Sequence, residues 1–132
     1  MSLVKKYHLE EKIRFLGDLN AEQMKQAFLE SNVFALPSTL ENSPNSLGEA
    51  MLLGVPSVAA NVGGVRNLMV HETEGLIYEP GDVAALTEGI MKLFVMAEEA
   101  SALGETAICH ARKTHDPEVN LRELIKIYNE IR

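Results

Sequence analysis

Val33-Phe-Ala-Leu-Pro-Ser-Thr-Leu-Glu41-Asn-Ser-Pro-Asn-Ser-Leu-Gly-Glu49-Ala-Met-Leu-Leu-Gly54 decides how the chain reads. An apolar run, Val33–Leu36, predicts a buried strand that Pro37 ends. A polar loop follows, and then a helix beginning near Ser46 that stops at Gly54-Val55-Pro56. Glutamates flank the loop and the helix start at Glu41 and Glu49. A helix N-terminus offers backbone N–H groups and the positive end of a dipole to an anion. Carboxylates on either side can bind hydroxyls or face a developing positive charge. Together these features suit a sugar that carries a phosphate.

Outward from this stretch, strand-like and helix-like segments alternate. Val4 to Leu9 reads as the last turns of a helix, and Ile13–Leu16 as a short strand stopped by Gly17-Asp18. Asn20, with Gln23 three residues on, opens an amphipathic helix through Met24, Ala27 and Phe28. Ser57–Ala60 is a second buried strand, Gly63-Gly64 a turn into a short helix from Val65 to Val70, and Gly75–Tyr78 a further strand. Pro80-Gly81-Asp82 caps a long helix from Val83 to about Met96. Two more helices follow, Ala97 to Lys113 and Pro117 to Ile131, the latter opened by Asp116 with proline at its first position. Apolar strands without alternation, spaced by helices, predict a parallel sheet covered on both faces. The fold class is therefore α/β, doubly wound and Rossmann-like. Ligands in such sheets lie beyond the carboxyl ends of the strands, where Glu41 sits.

With 132 residues, the chain is expected to form a single domain. Its net charge of -7 leaves no basic stripe for a nucleic acid. A lone cysteine, Cys109, suits a reducing compartment, and no apolar run is long enough to span a bilayer, so a cytoplasmic location is expected. Cys109 is expected to pack within its helix. Met24, Met51, Met69, Met91 and Met96 are expected to fill the core. His8, His71, His110 and His115 are scattered at surface or half-buried positions, and no ligand cluster for a metal stands out.

The stretch from Leu36 to Gly64 resembles the donor-site region of the retaining group 1 glycosyltransferases of the GT-B fold. The resemblance is carried by the E-x7-E spacing of Glu41 and Glu49, Pro37-Ser38, Glu49-Ala50-Met51, Gly54-Val55-Pro56 and Gly63-Gly64. Gly75-Leu-Ile-Tyr-Glu-Pro-Gly-Asp82 is similar to the family's next strand and helix cap. The likeness runs from about Ile13 to the C-terminus. It implies a partial C-terminal lobe of a GT-B enzyme that moves a sugar from a nucleotide-sugar donor to a polysaccharide, glycolipid or small molecule.

By this resemblance Glu41 is the catalytic residue, near the anomeric carbon, as nucleophile or as electrostatic stabiliser. Glu49 would accept hydrogen bonds from the ribose. Backbone N–H groups of Ser43, Asn45 and Ser46 would bind sugar oxygens and the distal phosphate, while Pro44 lacks the N–H that many relatives use. Arg66-Asn67 departs from the Pro-Glu of many relatives. The resemblance implies no cofactor and no metal in the chemistry.

It also implies partners: the donor, an N-terminal lobe that binds the acceptor and is not represented here, and the Gly-Arg and Lys positions that neutralise a diphosphate. Met1-Ser2-Leu3 reads as a cloning scar, and the chain as a fragment inactive alone; the parent enzyme would sit in the cytoplasm or at the membrane face through the other lobe. Without its neighbours, Ile13–Leu16 is expected to be dislocated, or the sheet to close up or pair with a second copy at the bare edge, giving a homodimer.

Other readings stand beside these. Ser46-Leu-Gly-Glu49 fits a capping box, with Glu49 turned back to the Ser46 N–H. Glu41 could be a solvated loop carboxylate, and Gly63-Gly64 a tight turn needing positive φ. For the whole chain, the alternatives are a non-catalytic nucleotide-sugar-binding or scaffold module and a nucleotide-sugar epimerase of related fold.

Overall fold

The computed structural model describes residues 3–131; Met1 and Ser2, part of the expected cloning scar, lie outside the described residues. Three parallel strands form the sheet, β1 (Phe34–Leu36), β2 (Ser57–Ala60) and β3 (Leu76–Tyr78), side by side in sequence order. Ala35 pairs with Val58, and Ala59 with Ile77. Helices α1 (Leu3–Lys6) and α2 (Ala21–Leu29) precede the sheet, while α3 (Asn45–Leu52) and α4 (Val65–Leu68) make the crossovers. After β3 come α5 (Val83–Val95), α6 (Ala97–Thr114) and α7 (Pro117–Glu130).

Every residue of β2 is buried, so the central strand must be apolar on both faces. On one face Leu36 and Ala59 meet Leu47 and Met51 of α3, Val65 of α4 and Ala107 and Ala111 of α6. On the other, Val58, Ala60, Leu76 and Tyr78 meet Leu93 of α5 and Ala100 of α6. A third cluster joins Phe28 of α2 to Ala50 and Val55, with Phe28 edge-on to Phe34 at 5.3 Å. Truncating the fully buried Leu47 would cost about 2–5 kcal/mol. Gly54 and Gly104 bring α3 and α6 into backbone contact, since a Cβ on Gly104 would collide with the Gly54 carbonyl.

The strand read at Ile13–Leu16 does not form, and of the outcomes expected for it the structure shows the dislocated one. The segment is coil outside the sheet, with Phe15 81% exposed. A strand of this kind is stable only when a neighbour supplies its ladder hydrogen bonds, and among the described residues β1 pairs with β2 alone.

The N-terminal helix is also shorter than expected, ending at Lys6 ahead of His8 at a φ of 54°. Helix α4 stops at Leu68 because Met69 is extended, and the Val70 N–H goes to the Glu74 carboxylate at 2.8 Å instead of continuing the helix. Cys109 is exposed and does not pack. Of the methionines, Met51 and Met69 are core, Met24 is half-buried, and Met91 and Met96 are exposed on the outer side of α5 and beyond it.

The expected α2 capping box is present. Asn20 Oδ1 accepts from the Gln23 N–H and Gln23 Oε1 from the Asn20 N–H, each at 3.0 Å. Asp82 and Asp116 cap α5 and α7 as their sequence positions predict. Glu74 is buried, and its carboxylate also meets His110 Nδ1 at 2.8 Å, tying α6 to the loop before β3.

Candidate donor-binding site

Chain geometry places the loop between β1 and α3 at the carboxyl edge of the sheet. Pro37 cannot donate to a strand ladder, so β1 ends at Leu36 and the chain turns over the strand tips. Glu41 is half-buried there, and Asn42 and Ser43 are exposed. The Gly63-Gly64 turn, which leaves β2, lies directly under this loop. A Cβ on Gly63 would collide with the Glu41 carbonyl, and one on Gly64 with the Asn42 carbonyl. Gly63 has φ of 51°, and the Gly64 N–H donates to the Asn42 carbonyl at 2.7 Å. The tight-turn reading holds for Gly63, whereas Gly64, at a φ of -82°, needs no positive φ and is small because the Asn42 carbonyl lies against it; the turn also seats the backbone of Glu41.

Helix α3 begins at Asn45, one residue before the expected start, with Pro44 as its N-cap. Pro44 has no side-chain acceptor, so no side chain caps this helix. The first intrahelical bonds run from the Leu47 and Gly48 N–H groups to the Pro44 carbonyl. The N–H groups of Asn45 and Ser46 therefore precede the helical ladder and are left for another acceptor. The capping-box reading of Ser46 and Glu49 fails for the same reason: Ser46 is already inside the helix, and no bond joins the Glu49 carboxylate to its N–H.

Glu49 is exposed and lines a cavity of about 240 Å³ between α2 and α3. Ala21, Lys25 and Phe28 form one wall, at i, i+4 and i+7 of α2, and Glu49, Leu52 and Leu53 the other. The arrangement offers one carboxylate and one ammonium above an apolar floor. The sequence reading missed Lys25; its place on the face shared with Phe28 was visible, but not that α3 would face it.

At the tips of β2 and β3 stand two further polar residues that the sequence reading passed over, Asn61 and Glu79. Their signal was position, directly after a parallel strand. Asn61 Nδ2 donates to Glu79 Oε1 at 2.7 Å, and Arg66 Nε to Asn61 Oδ1 at 2.6 Å. Burial pushes the neighbouring Tyr78 phenol above its ordinary pKa. Among the described residues, no three His, Cys, Asp or Glu side chains gather as a metal site, and no helix is long and apolar enough to cross a membrane.

Comparison with known proteins agrees with this geometry. The family described as "Glycosyl transferases group 1" matches residues 1–109. The sulfoquinovosyl transferase of Arabidopsis thaliana is 31% identical over 70% of this chain, which spans 19% of that protein. Sucrose-phosphate synthase of Thermosynechococcus elongatus superposes with a TM-score of 0.90 at 26% identity, over 98% of this chain and 32% of that one. The Anabaena protein HepE, solved with UDP, superposes with a TM-score of 0.87 at 26% identity, over 96% of this chain and 35% of that one. The chain thus spans a third or less of most of these proteins, as part of one GT-B lobe. It belongs to the group 1 glycosyltransferases.

Proposed function

We propose that this chain is the donor-binding part of a retaining glycosyltransferase that moves a sugar from a nucleotide sugar to an acceptor held by a second lobe. The observation that carries the reading is the uncapped N-terminus of α3, set between the Glu41 loop and the Glu49 cavity. The distal phosphate would accept from the Asn45 and Ser46 N–H groups, with the Ser43 N–H toward the sugar oxygens. The ribose hydroxyls would donate to Glu49, with the nucleoside in the α2–α3 cavity.

As the bond from the anomeric carbon to the distal phosphate oxygen breaks, positive charge develops on the sugar and negative charge on the departing diphosphate. Glu41 would face the first and the α3 N-terminus the second, which stabilises the transition state more than the ground state. HepE has been solved with UDP and also with UDP-glucose, which supports a uridine-diphosphate sugar as the first donor to test.

The test is a titration of the chain with UDP-glucose followed by amide NMR. Shifts are expected at Ser43, Asn45, Ser46 and Gly64, and at residues lining the α2–α3 cavity. Shifts confined to other surfaces, for this donor and for a panel with other bases, would overturn the placement. The reading assigns the diphosphate charge to N–H groups and uses no metal, so the same affinity is expected in Mg2+ and in EDTA. The bare outer edge of β1 is proposed as the contact for a second copy, which sedimentation at rising concentration would detect.

A further inference from the structure

Asn61 is the first residue beyond β2, and Glu79 the first beyond β3. Between Asn61 and Arg66 lie only Val62, Gly63, Gly64 and Val65. The bond from Arg66 Nε to Asn61 Oδ1 at 2.6 Å therefore closes a small ring over the Gly63-Gly64 turn. The bond from Asn61 Nδ2 to Glu79 Oε1 at 2.7 Å anchors that ring to the tip of β3. Arg66 Nη2 adds a 3.9 Å ion pair to the same carboxylate oxygen.

Only one orientation of the Asn61 amide satisfies both partners. A guanidinium can only donate and an ionised carboxylate can only accept, so Oδ1 must face Arg66 and Nδ2 must face Glu79. An exposed Arg–Glu pair alone would be worth little. Here an amide with both ends committed joins the two charged groups, and both of its bonds are short and charge-assisted.

The turn that this ring encloses is the one that seats the Glu41 loop. Gly64 donates to the Asn42 carbonyl, and Gly63 leaves room for the Glu41 carbonyl. We infer that Arg66, Asn61 and Glu79 are positioning residues, a clamp that fixes the Gly63-Gly64 turn and through it the placement of Glu41. The inference rests on the reading of Glu41 as the carboxylate that faces the donor sugar. Its reach into the backbone can be tested without any ligand.

Three variants separate the clamp from a general loss of stability: Arg66→Ala, Glu79→Ala and Glu79→Gln. The last keeps an acceptor for Asn61 and removes only the charge. Amide hydrogen exchange is read at Gly64, with Val58 and Ala59 in the fully buried β2 as the reference for global opening. Arg66→Ala and Glu79→Ala are expected to speed Gly64 exchange about three- to tenfold with β2 unchanged, and Glu79→Gln to stay within about twofold.

In a parallel titration, Arg66→Ala is expected to weaken UDP-glucose binding while leaving UDP binding unchanged, because the turn also seats Asn42 and with it the Ser43 N–H, which the proposed function turns toward the sugar oxygens. Unchanged Gly64 exchange in Arg66→Ala, equal acceleration in β2, or a Glu79→Gln result matching Glu79→Ala would each overturn the clamp. Faster Gly64 exchange with both affinities kept, or with equal loss of UDP and UDP-glucose, would overturn its link to the Glu41 loop. If the unaltered chain binds neither compound, the donor reading fails, and the exchange results still decide whether the clamp exists.

Discussion

The Gly64 amide donates to the Asn42 carbonyl at 2.7 Å, and this one bond ties the exit of β2 to the loop that carries Glu41. It links residues twenty-two positions apart that the topology sets at neighbouring strand tips. Its acceptor is the residue next to the proposed catalytic carboxylate. The backbone of the first crossover loop is thus positioned by the second.

Replacement of Gly63 by alanine should show this dependence most directly. The new Cβ would collide with the Glu41 carbonyl, at a residue whose φ is 51°. Backbone strain and loop displacement together are expected to cost about 1–3 kcal/mol of stability. Thermal unfolding measures that cost, and amide NMR should place the largest shifts at Glu41 and Asn42. An alanine variant of full stability with an undisturbed loop would contradict the close seat.

Glu41→Ala, made in an enzyme that carries this segment joined to its second lobe, should lower the transfer rate about 10²–10³-fold. Donor affinity should change far less, because the carboxylate acts on charge that develops only as the glycosidic bond breaks. Steady-state kinetics separates the two effects. A raised KM with unchanged kcat would move Glu41 out of the chemistry and into plain binding.

Glu49→Ala should give the opposite pattern. Loss of a charged acceptor for hydroxyl groups is expected to weaken donor binding by about 1.5–3 kcal/mol, with kcat nearly kept. Glu49 has no capping role in the structure, so helix α3 should keep its stability in this variant. Calorimetric affinity and a melting curve on the same sample check both halves.

Tyr78 supplies a pH dependence. Its phenol is buried and its pKa raised by desolvation, so the folded state disfavours the phenolate. The stability linked to this group is present below the ordinary tyrosine pKa of about 10 and is lost as pH rises from there toward the folded value. Denaturant midpoints measured from neutral to strongly alkaline pH should fall at the alkaline end. Tyr78→Phe should flatten that part of the curve.

Much of the fold was legible because its strands are short apolar runs and its helices carry strong end signals. Asn20, Asp82 and Asp116 all cap where their sequence context predicts. Local pattern failed where the outcome depended on a distant partner. Ile13–Leu16 has the composition of a strand, yet its ladder neighbour is not among the described residues. Ser46-Leu-Gly-Glu49 has the letters of a capping box, but Pro44 starts the helix earlier and leaves Ser46 inside it.

At the candidate site, the spacing of Glu41 and Glu49 and the family likeness that adds Ser43, Asn45 and Ser46 could be read from the sequence. The Gly63-Gly64 seat, Lys25 and the Asn61–Glu79 pair could not, because each depends on which strand tips and helix faces meet. Adjacency of strands in space is what the linear pattern hides.

Helix α7 runs for 14 residues without one buried side chain, while Leu121, Leu124, Ile125, Ile127 and Tyr128 stand open to water. A helix of that length is marginal on its own in water, and here little besides the Asp116 cap and the continuity of the chain secures it. The chain should therefore come apart in two steps, its last helix fraying well before the sheet melts. On its C-terminal side a protease should cut just past His115, leaving a trimmed body that keeps the strand tips and everything they hold.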